Sequence, residues 1–204
     1  MMFNEKGITL VEIIVVVFII SIFSVILISD FPKIQGQFAL SRDAAKLAQD
    51  LRKAQDLALS GVPVLSPVPG ASPTPIPVAG YGVYVDASKP KEYKIYADSC
   101  QPFNHQYNSC DNTVERIDTN SIGSGGMPVS VKIRVHTNVG INTNPGDISI
   151  NFTPPNPKVD ILNSTVCLAD YGGCSSADII LSLDSDPTQT RTVTVNSVGL
   201  IETK

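Results

Sequence analysis

The chain begins with a long run of apolar residues. Of the 21 residues from Ile8 to Ile28, 17 are Ile, Leu, Val or Phe. As an α-helix this segment would be about 32 Å long, close to the ~30 Å hydrocarbon core of a bilayer. Its apolar side chains favour insertion by more than the ~3 kcal/mol that one buried charge, that of Glu12, costs. The run therefore predicts a membrane-spanning helix, and an ordinary signal anchor in which Glu12 is incidental remains an alternative.

A second helical pattern follows the span. Pro32 and Gly36 predict a bend or a break in the helix there. From Phe38 to Ser60, apolar residues recur at alternating intervals of four and three, and Gly61 is a natural helix end. This spacing predicts an amphipathic helix whose apolar stripe packs on a sheet. The stripe consists of Leu40, Ala44, Leu47, Leu51, Ala54 and Ala58.

Charged residues fill the other faces of the amphipathic helix. Lys46 precedes Asp50 by one turn, and Arg52 precedes Asp56 by the same distance. Pairs with this spacing stabilise a helix weakly. We expect a solvated face, and contact with neighbouring molecules is the alternative.

The remainder of the chain predicts a β-rich region. Residues 62–79 contain six prolines, a composition typical of an exposed and extended spacer. Beyond it, apolar and polar residues alternate with period two, and Gly, Pro, Asn and Ser are dense between the alternating segments. The predicted strands are Tyr81–Asp86, Glu92–Asp98, Val114–Asp118, Val129–His136, Asp147–Phe152, Asp178–Leu183, Arg191–Ser197 and Gly199–Thr203.

These patterns predict an α+β fold in which a long N-terminal hydrophobic helix packs on a mostly antiparallel β-sheet domain. Five segments follow along the chain. They are a short polar start at residues 1–7, the membrane-spanning helix at 8–28, the amphipathic helix at 29–61, the proline-rich loop at 62–79 and the β-rich domain at 80–204.

The four cysteines favour disulfide bonds. An even number of cysteines in a membrane-tethered, exported domain is typical of oxidised proteins, and the spacings fit no zinc module. Four cysteines allow three pairings, of which proximity along the chain favours Cys100–Cys110 and Cys167–Cys174. Four buried free thiols are the alternative.

The net charge restricts the possible partners. The chain carries a formal charge of −4, so it has no overall attraction for nucleic acid. DNA binding would need a local basic patch, and Lys132, Arg134 and Arg191 on neighbouring predicted strands are the candidates for one.

Few residues point to catalysis or ligand binding. His105 and His136 lie outside any recognisable nucleophile or metal motif. Gly123–Gly126 lacks the strand, helix and lysine of a phosphate loop. Asp184 and Asp186 have a spacing compatible with Ca²⁺ but lack the rest of a ligand loop. We therefore expect no enzyme activity, no cofactor and no metal, with Ca²⁺ binding left open.

The junction between the polar start and the apolar run resembles that of type IV prepilins and pseudopilins. It reads Lys6-Gly7-Ile8-Thr9-Leu10-Val11-Glu12. In that family a short leader ends in Gly, and the apolar helix after it carries Glu at its fifth residue. The resemblance implies that a prepilin peptidase cuts between Gly7 and Ile8 and methylates the new N-terminus at Ile8. Family members most often have Phe or Met there, so Ile8 departs from the usual pattern.

Glu12 then has an expected role in subunit assembly. A carboxylate inside hydrocarbon is costly unless it finds a partner. In a fibre of stacked subunits, the nearest cation is the N-terminal amine of a neighbouring chain. Pairing with it would fix the axial stagger of the subunits, because every other register leaves the buried charge unpaired.

The later strands resemble those of GspH/FimT-type minor pseudopilins. The shared features are a strand that ends at Phe152-Thr-Pro154, an apolar strand at Ile179–Leu183, and a closing segment with Arg191, Asn196 and Gly199. The resemblance runs from Phe38 to the end of the chain, apart from the proline-rich insert. It implies a minor structural subunit of a type IV pilus or a type II secretion pseudopilus.

The resemblance also implies partners and a location. The partners are prepilin peptidase, other pilins or pseudopilins, and an inner-membrane assembly platform. The protein would be a single-pass inner-membrane protein with an extracytoplasmic domain before it enters the fibre.

Three alternative functions stay open. The first is a major pilin. The second is a DNA-binding minor pilin, although the basic C-terminal pattern of such proteins is absent from Gly199–Lys204, where Lys204 is offset by Glu202. The third is a tethered hydrolase, which would require a deep polar pocket.

Overall fold

The fold was analysed in a computed structural model. It describes residues 8–65, 74–99, 103–107, 116–123, 129–137, 140–143, 145–155, 158–163, 165–167 and 173–204, without the side chains of residues 29, 30, 116 and 143. The chain divides into two compact units, Met1–Phe38 and Ala39–Lys204.

A single helix, α1, runs from Leu10 to Ser60 and contains Pro32. The break that the sequence predicted at Pro32 and Gly36 is therefore wrong. A proline removes one N–H donor and crowds the preceding turn, whereas long helical segments on both sides keep their hydrogen bonds. Those segments sustain the helix across the interruption, and α1 ends at Gly61, where φ is +60°.

Twelve strands follow in the described part of the chain, and every strand pairing is antiparallel. Their bounds are β1 Val64–Leu65, β2 Pro75–Ile76, β3 Gly80–Asp86, β4 Glu92–Asp98, β5 Arg116–Ser121, β6 Val129–His136, β7 Ile141–Thr143, β8 Asp147–Thr153, β9 Lys158–Leu162, β10 Ser176–Leu183, β11 Thr190–Asn196 and β12 Ile201–Thr203.

The long strands form two five-stranded sheets instead of one. Sheet I has the order β5-β4-β3-β8-β9, and sheet II has the order β12-β11-β10-β6-β7. The predicted α+β arrangement is confirmed, since the long helix precedes antiparallel sheets.

Seven of the eight predicted strands appear within two residues of their expected bounds. Glu92–Asp98 and Val129–His136 match fully. β5, Arg116–Ser121, covers the described end of the predicted strand Val114–Asp118 and continues three residues beyond it, whereas residues 114 and 115 lie outside the described part. The sequence missed four strands: the two-residue strands β1 and β2 inside the predicted loop, β7, which has three residues, and β9, which follows a proline-rich turn.

One hydrophobic core joins the second half of α1 to both sheets. All six residues of the predicted stripe are buried in it, with Leu47, Leu51 and Ala54 at 0% exposure. The inward residues of β3, β4 and β8 contribute from sheet I, and those of β6, β10 and β11 from sheet II. The predicted packing of this helix on a sheet is therefore confirmed, and it extends to two sheets.

Two aspartates fasten the helix to sheet I and the segment that follows it. The Asp43 carboxylate accepts a hydrogen bond from Gly123 N at 2.7 Å. Asp50 accepts one from Asn120 Nδ2 at 3.0 Å and another from the Tyr93 hydroxyl. Burial, together with the Asp50 carboxylate, raises the pKa of the Tyr93 hydroxyl far above its ordinary range. This hydroxyl therefore stays a donor.

The helical ion pairs that the sequence suggested do not form among the described residues. Asp50 turns inward to Tyr93 and Asn120, so it is not paired with Lys46. Arg52 and Asp56 likewise make no ion pair. Hydrogen bonds in a partly buried site outweigh a surface ion pair of a few tenths of a kcal/mol, which explains why Asp50 turns inward.

The two ends of the proline-rich segment pair with each other. Val64 pairs with Ile76, and Leu65 pairs with Pro75, as a two-stranded ribbon. The Tyr81 hydroxyl donates to the carbonyl of Val62 just before the ribbon. Residues 66–73 lie outside the described part, so their role as a spacer stays a prediction.

Substitution of the helix stripe tests the core. We expect Leu51→Ala to lower the free energy of unfolding by about 2–5 kcal/mol, because it removes a fully buried side chain and leaves a cavity. Leu59→Ala is the control on the same helix, where the side chain is 51% exposed and the expected loss is below about 0.5 kcal/mol. Urea unfolding of the full chain in detergent, followed by tyrosine fluorescence, measures both. Equal losses would contradict this description of the core.

Candidate processing and assembly segment

The start of α1 is capped by a threonine. Thr9 directly precedes the first helical residue, and its Oγ1 accepts a hydrogen bond from Glu12 N at 3.2 Å. The Thr9 carbonyl also accepts bonds from the backbone N–H groups of Glu12 and Ile13, at 3.1 and 3.3 Å. Thr9 therefore satisfies backbone donors that every helix leaves free at its N-terminus.

Glu12 occupies the third position of the helix. A Thr followed three residues later by Glu is the spacing of a capping box, a signal in the sequence that predicts a helix start at Thr9. A carboxylate in the first turn also interacts favourably with the positive end of the helix dipole. The structure thus places the Glu12 carboxylate in the first turn of α1, and its assembly role stays a prediction.

The apolar run has no protein covering it. Its large side chains from Ile8 to Ile28 are 47–74% exposed, and an 18-residue window of α1 has a mean hydropathy of 3.2. The Ser21 and Ser24 hydroxyls donate to the carbonyls of Val17 and Ile20, each at 2.8 Å. These polar groups are satisfied inside the helix, as a hydrocarbon environment requires. Length, composition and exposure fit a membrane span.

The predicted cleavage site is only partly within the described chain. Gly7 and the rest of the leader lie outside it. Ile8 and Thr9 precede the helix and are exposed.

The disulfide predicted near the end of the chain is present. Cys167 and Cys174 are bonded and buried in the core. Asn163 Oδ1 accepts a bond from Cys167 N at 2.5 Å, and Cys174 N donates to the Ile161 carbonyl at 3.0 Å. Both bridged cysteines are therefore held beside the end of β9. The predicted pair Cys100–Cys110 lies outside the described residues.

His105 belongs to a buried polar cluster on the outer face of sheet I. Its backbone N–H donates to Asp98 Oδ2 at 2.9 Å, and its Nδ1 lies 3.4 Å from the same oxygen and 3.0 Å from Asn151 Nδ2. Asp98 and Asn151 are both 0% exposed. The backbone of His105 has φ of +60°, and its carbonyl accepts a bond from the Tyr96 hydroxyl at 3.1 Å. These contacts hold residues 103–107 against the sheet.

Aromatic packing extends this cluster. The Tyr107 ring lies 4.8 Å from that of Tyr84 and 5.7 Å from that of Tyr96, between ring centroids. Lys94 Nζ stands 4.7 Å from the Tyr107 centroid, a distance for a cation–π contact. Gly82 makes room for Tyr96, since a Cβ on Gly82 would lie 2.7 Å from that ring. The cluster therefore packs residues 103–107 onto the outer face of sheet I.

The candidate basic patch for DNA does not assemble. Lys132 and Arg134 alternate with buried residues of β6, so they lie on the outer face of sheet II. Arg191 pairs with Leu181, whose side chain points into the core. Because successive residues of a strand point to opposite faces, Arg191 has the inner-face parity and is separated from the two others. In addition, Asp178 stands directly opposite Arg134.

The remaining candidate residues have structural partners. His136 Nε2 lies 3.0 Å from Asp178 Oδ2. Asp184 accepts from the Ser130 hydroxyl and pairs with Lys91 at 3.4 Å, whereas Asp186 accepts from Thr188 N at 3.2 Å. The two aspartates are thus engaged in different contacts. The Ser130 hydroxyl bond and Lys91 hold the pKa of Asp184 below its ordinary value. Of the residues Gly123–Gly126, only Gly123 lies in the described part of the chain, and its N–H donates a hydrogen bond to the Asp43 carboxylate.

The charge state of Asp98 gives a test of the buried polar cluster. Burial raises the pKa of its carboxyl, and the hydrogen bond and charge of His105 oppose that rise. A raised pKa stabilises the fold below about pH 4, and this contribution is lost as the pH rises through the folded-state pKa. Asp98→Asn removes that loss. We therefore expect stability to fall less between pH 4 and pH 7 in the variant than in the unsubstituted protein.

Urea unfolding of the full chain in detergent at both pH values measures this difference. Asp118→Asn, at an exposed position of the same sheet, is the control and should keep the pH dependence of the unsubstituted protein. The assignment to Asp98 fails if its variant loses as much stability between the two pH values as the control does.

Comparison with known proteins bears on the first part of the chain. Residues 2–28 match the family model described as the prokaryotic N-terminal methylation motif. The match spans Gly7, Ile8, Glu12 and the apolar run, and it supports a type IV pilin-like protein that prepilin peptidase processes. Comparison with curated proteins and with solved structures gave no match.

Proposed function

We propose that this protein is a minor subunit, of the GspH/FimT type, in a type IV pilus or a type II secretion pseudopilus. Prepilin peptidase removes the leader, the apolar half of α1 holds the subunit in the membrane, and the same segment later packs inside the fibre. The observation that carries the proposal is the methylation motif at residues 2–28, placed on a helix whose far half is built into a β-rich domain.

Processing needs a backbone that the peptidase can reach. Ile8 precedes the Thr9 cap, whose carbonyl accepts the first helical hydrogen bonds, so the residue on the mature side of the predicted cut lies before the helix. The Thr9 cap starts the helix directly after that point. This geometry supports cleavage between Gly7 and Ile8, with Ile8 as the methylated amine.

Ordered assembly requires an interaction that fixes the axial position of each subunit relative to its neighbours when it leaves the bilayer. The exposed apolar side chains can pack against lipid or against equivalent helices with little difference in free energy. Glu12 favours one register, because its charge is costly in hydrocarbon and this cost is reduced when the carboxylate pairs with the N-terminal amine of a neighbouring subunit. The amine of Ile8 in a neighbour is the cation that the proposal assigns to it.

The minor-subunit type is supported by the roles of the motif residues. Phe152 is buried in the core beside Tyr81 of β3. Asn196 Oδ1 accepts bonds from Val198 N and Leu200 N, at 3.2 and 2.8 Å, and Gly199 has φ of +88°. Asn196 and Gly199 shape the turn between β11 and β12, and Phe152 fills the core. The residues that carry the GspH/FimT resemblance therefore have structural roles.

The proposed partners and location follow from this role. The partners are prepilin peptidase, other pilins or pseudopilins and the inner-membrane assembly platform. The domain is extracytoplasmic before assembly, in keeping with the Cys167–Cys174 disulfide. The abundance of the protein in sheared surface filaments separates a minor subunit from a major one.

N-terminal sequencing of the mature protein tests processing. We expect the first residue to be Ile8, carrying a methyl group, when a prepilin peptidase is co-expressed. Without the peptidase the chain should start at its leader. A mature start at any other residue would falsify the proposed processing.

Substitution of Glu12 tests assembly. We expect Glu12→Gln and Glu12→Ala to insert in the membrane and to be absent from fibres, since the register-setting charge is gone. Ser21→Ala is the control within the same span, because the Ser21 hydroxyl bonds only its own helix, and it should be incorporated normally. Membrane fractionation and immunoblotting of sheared fibres measure both steps. Normal incorporation of both Glu12 variants would refute the assembly role.

A further inference from the structure

The apolar surface of α1 continues beyond the membrane-spanning run. Three large apolar side chains follow Ile28, and all are exposed: Phe31 at 58%, Ile34 at 49% and Phe38 at 72%. They belong to the first compact unit of the chain, which ends at Phe38. The next residue, Ala39, is already buried. The exposed apolar surface therefore lies between the membrane span and the first buried residues of the domain.

These side chains lie in one row along the helix. Leu27, Phe31, Ile34 and Phe38 follow one another at intervals of four, three and four residues, a spacing that places side chains on one face of an α-helix. We call these four residues the juxtamembrane stripe. The residues on other faces include the exposed polar side chains Lys33, Gln35 and Gln37. Beyond Ile28, α1 thus changes from a helix that is apolar on all sides to an amphipathic one.

This change of pattern indicates the surroundings of the stripe. A helix surrounded by hydrocarbon is apolar on every face, whereas a helix at the boundary of a bilayer is apolar on one face and polar on the other. The stripe begins at Leu27, inside the membrane-spanning run, where the exposed surface already faces lipid. Because the row is continuous with that surface, lipid is the partner that can cover it without a second protein.

The length of the helix leads to the same partner. An upright helix would raise Phe38 about 15 Å beyond Ile28, farther than the ~5–7 Å headgroup layer on each side of the hydrocarbon core. From Leu10 to Phe38, α1 is about 43 Å long. A tilt of about 40°, at the upper end of the range for membrane helices, shortens this to about 33 Å along the membrane normal. A tilted helix turns one side toward the membrane, and the stripe occupies one side.

We propose that the juxtamembrane stripe is a lipid-binding surface that lies in the headgroup region of the bilayer and holds α1 in a tilted position. The inference rests on the membrane anchor of the proposed function and adds a second lipid contact outside the hydrocarbon core. Phe31, Ile34 and Phe38 are the residues that make it. The contact belongs to the subunit in the membrane and requires no other copy of the chain.

Tryptophan fluorescence can locate the stripe, because the natural chain contains no tryptophan. Phe38→Trp places an indole on the stripe. Gln37→Trp is the matched control, since this exposed neighbour lies at almost the same height and about 100° around the helix. Each full-length variant is placed in nanodiscs of phosphatidylcholine and phosphatidylglycerol that hold one chain each. Both membrane faces are then open to solvent, and a second copy cannot cover the stripe.

We expect the two indoles to differ. Iodide in the buffer should quench the Phe38→Trp variant at least about threefold less than the Gln37→Trp variant, because lipid shields the stripe. Lipids brominated near the headgroup end of their acyl chains should quench Phe38→Trp more strongly than Gln37→Trp. Equal accessibility of the two indoles to iodide would overturn the proposal.

Removal of the rest of the stripe tests whether it acts as a unit. In the Phe38→Trp background, Phe31→Ser with Ile34→Ser should raise iodide quenching at least about twofold, since the helix loses its lipid contact. Gln35→Ser with Gln37→Ser is the control on other faces and should leave quenching unchanged. The same quenching in both double variants would contradict the proposal.

A third indole separates this inference from the membrane anchor itself. Phe18→Trp lies within the apolar run, so iodide should not reach it and lipids brominated deep in their acyl chains should quench it. If iodide reaches this indole, both the anchor and the inference are wrong. If this indole is shielded while Phe38→Trp matches its control, only the inference is wrong and the proposed function is unaffected.

Discussion

One helix has to suit two different surroundings, and the rest of the structure depends on this constraint. From Leu10 to Ile28, α1 exposes apolar side chains all round, which only hydrocarbon or other apolar helices can accommodate. From Ala39 the same helix buries a narrow stripe between two sheets. The continuous hydrogen-bonded backbone joins both roles, so Pro32 is tolerated inside it.

Fastening the helix to the sheets has an electrostatic consequence. Asp43 and Asp50 are used for hydrogen bonds to Gly123, Tyr93 and Asn120, which draws negative charge toward the domain. The basic residues of the α1 segment 39–60 remain on its exposed side. Packing and surface charge are therefore coupled, since the contacts that hold the helix in place also leave its outer side cationic.

The β-rich domain uses its polar residues for structure. Asp98 and Asn151 hold residues 103–107 on sheet I, Asn163 organises the disulfide loop, and Asn196 builds the closing hairpin. In the described part of the chain, no group of three or more His, Cys, Asp or Glu side chains is arranged to bind a metal ion.

Periodicity in the sequence determined the elements that depend on local spacing. The stripe from Leu40 to Ala58 and the strands Glu92–Asp98 and Val129–His136 were predicted at their observed positions. Burial of one face requires apolar residues at a regular period, and this period is visible in the order of residues. The Thr9 cap was also present in the sequence as a Thr-x-x-Glu spacing. The junction at Gly7 and Ile8 is a purely sequential signal, which the methylation motif spans.

Tertiary structure decided whatever depends on which distant residues meet. The division into two sheets, the inward turn of Asp50 toward Tyr93, and the separation of Arg191 from Lys132 and Arg134 all follow from strand order and register. Register depends on the turns and on the partner strand as well as on the hydrophobic pattern of each strand, so separate strand sequences do not determine which side chains meet. The sequence by itself thus determined the anchor and its processing signal, whereas the surfaces of the domain were decided by folding.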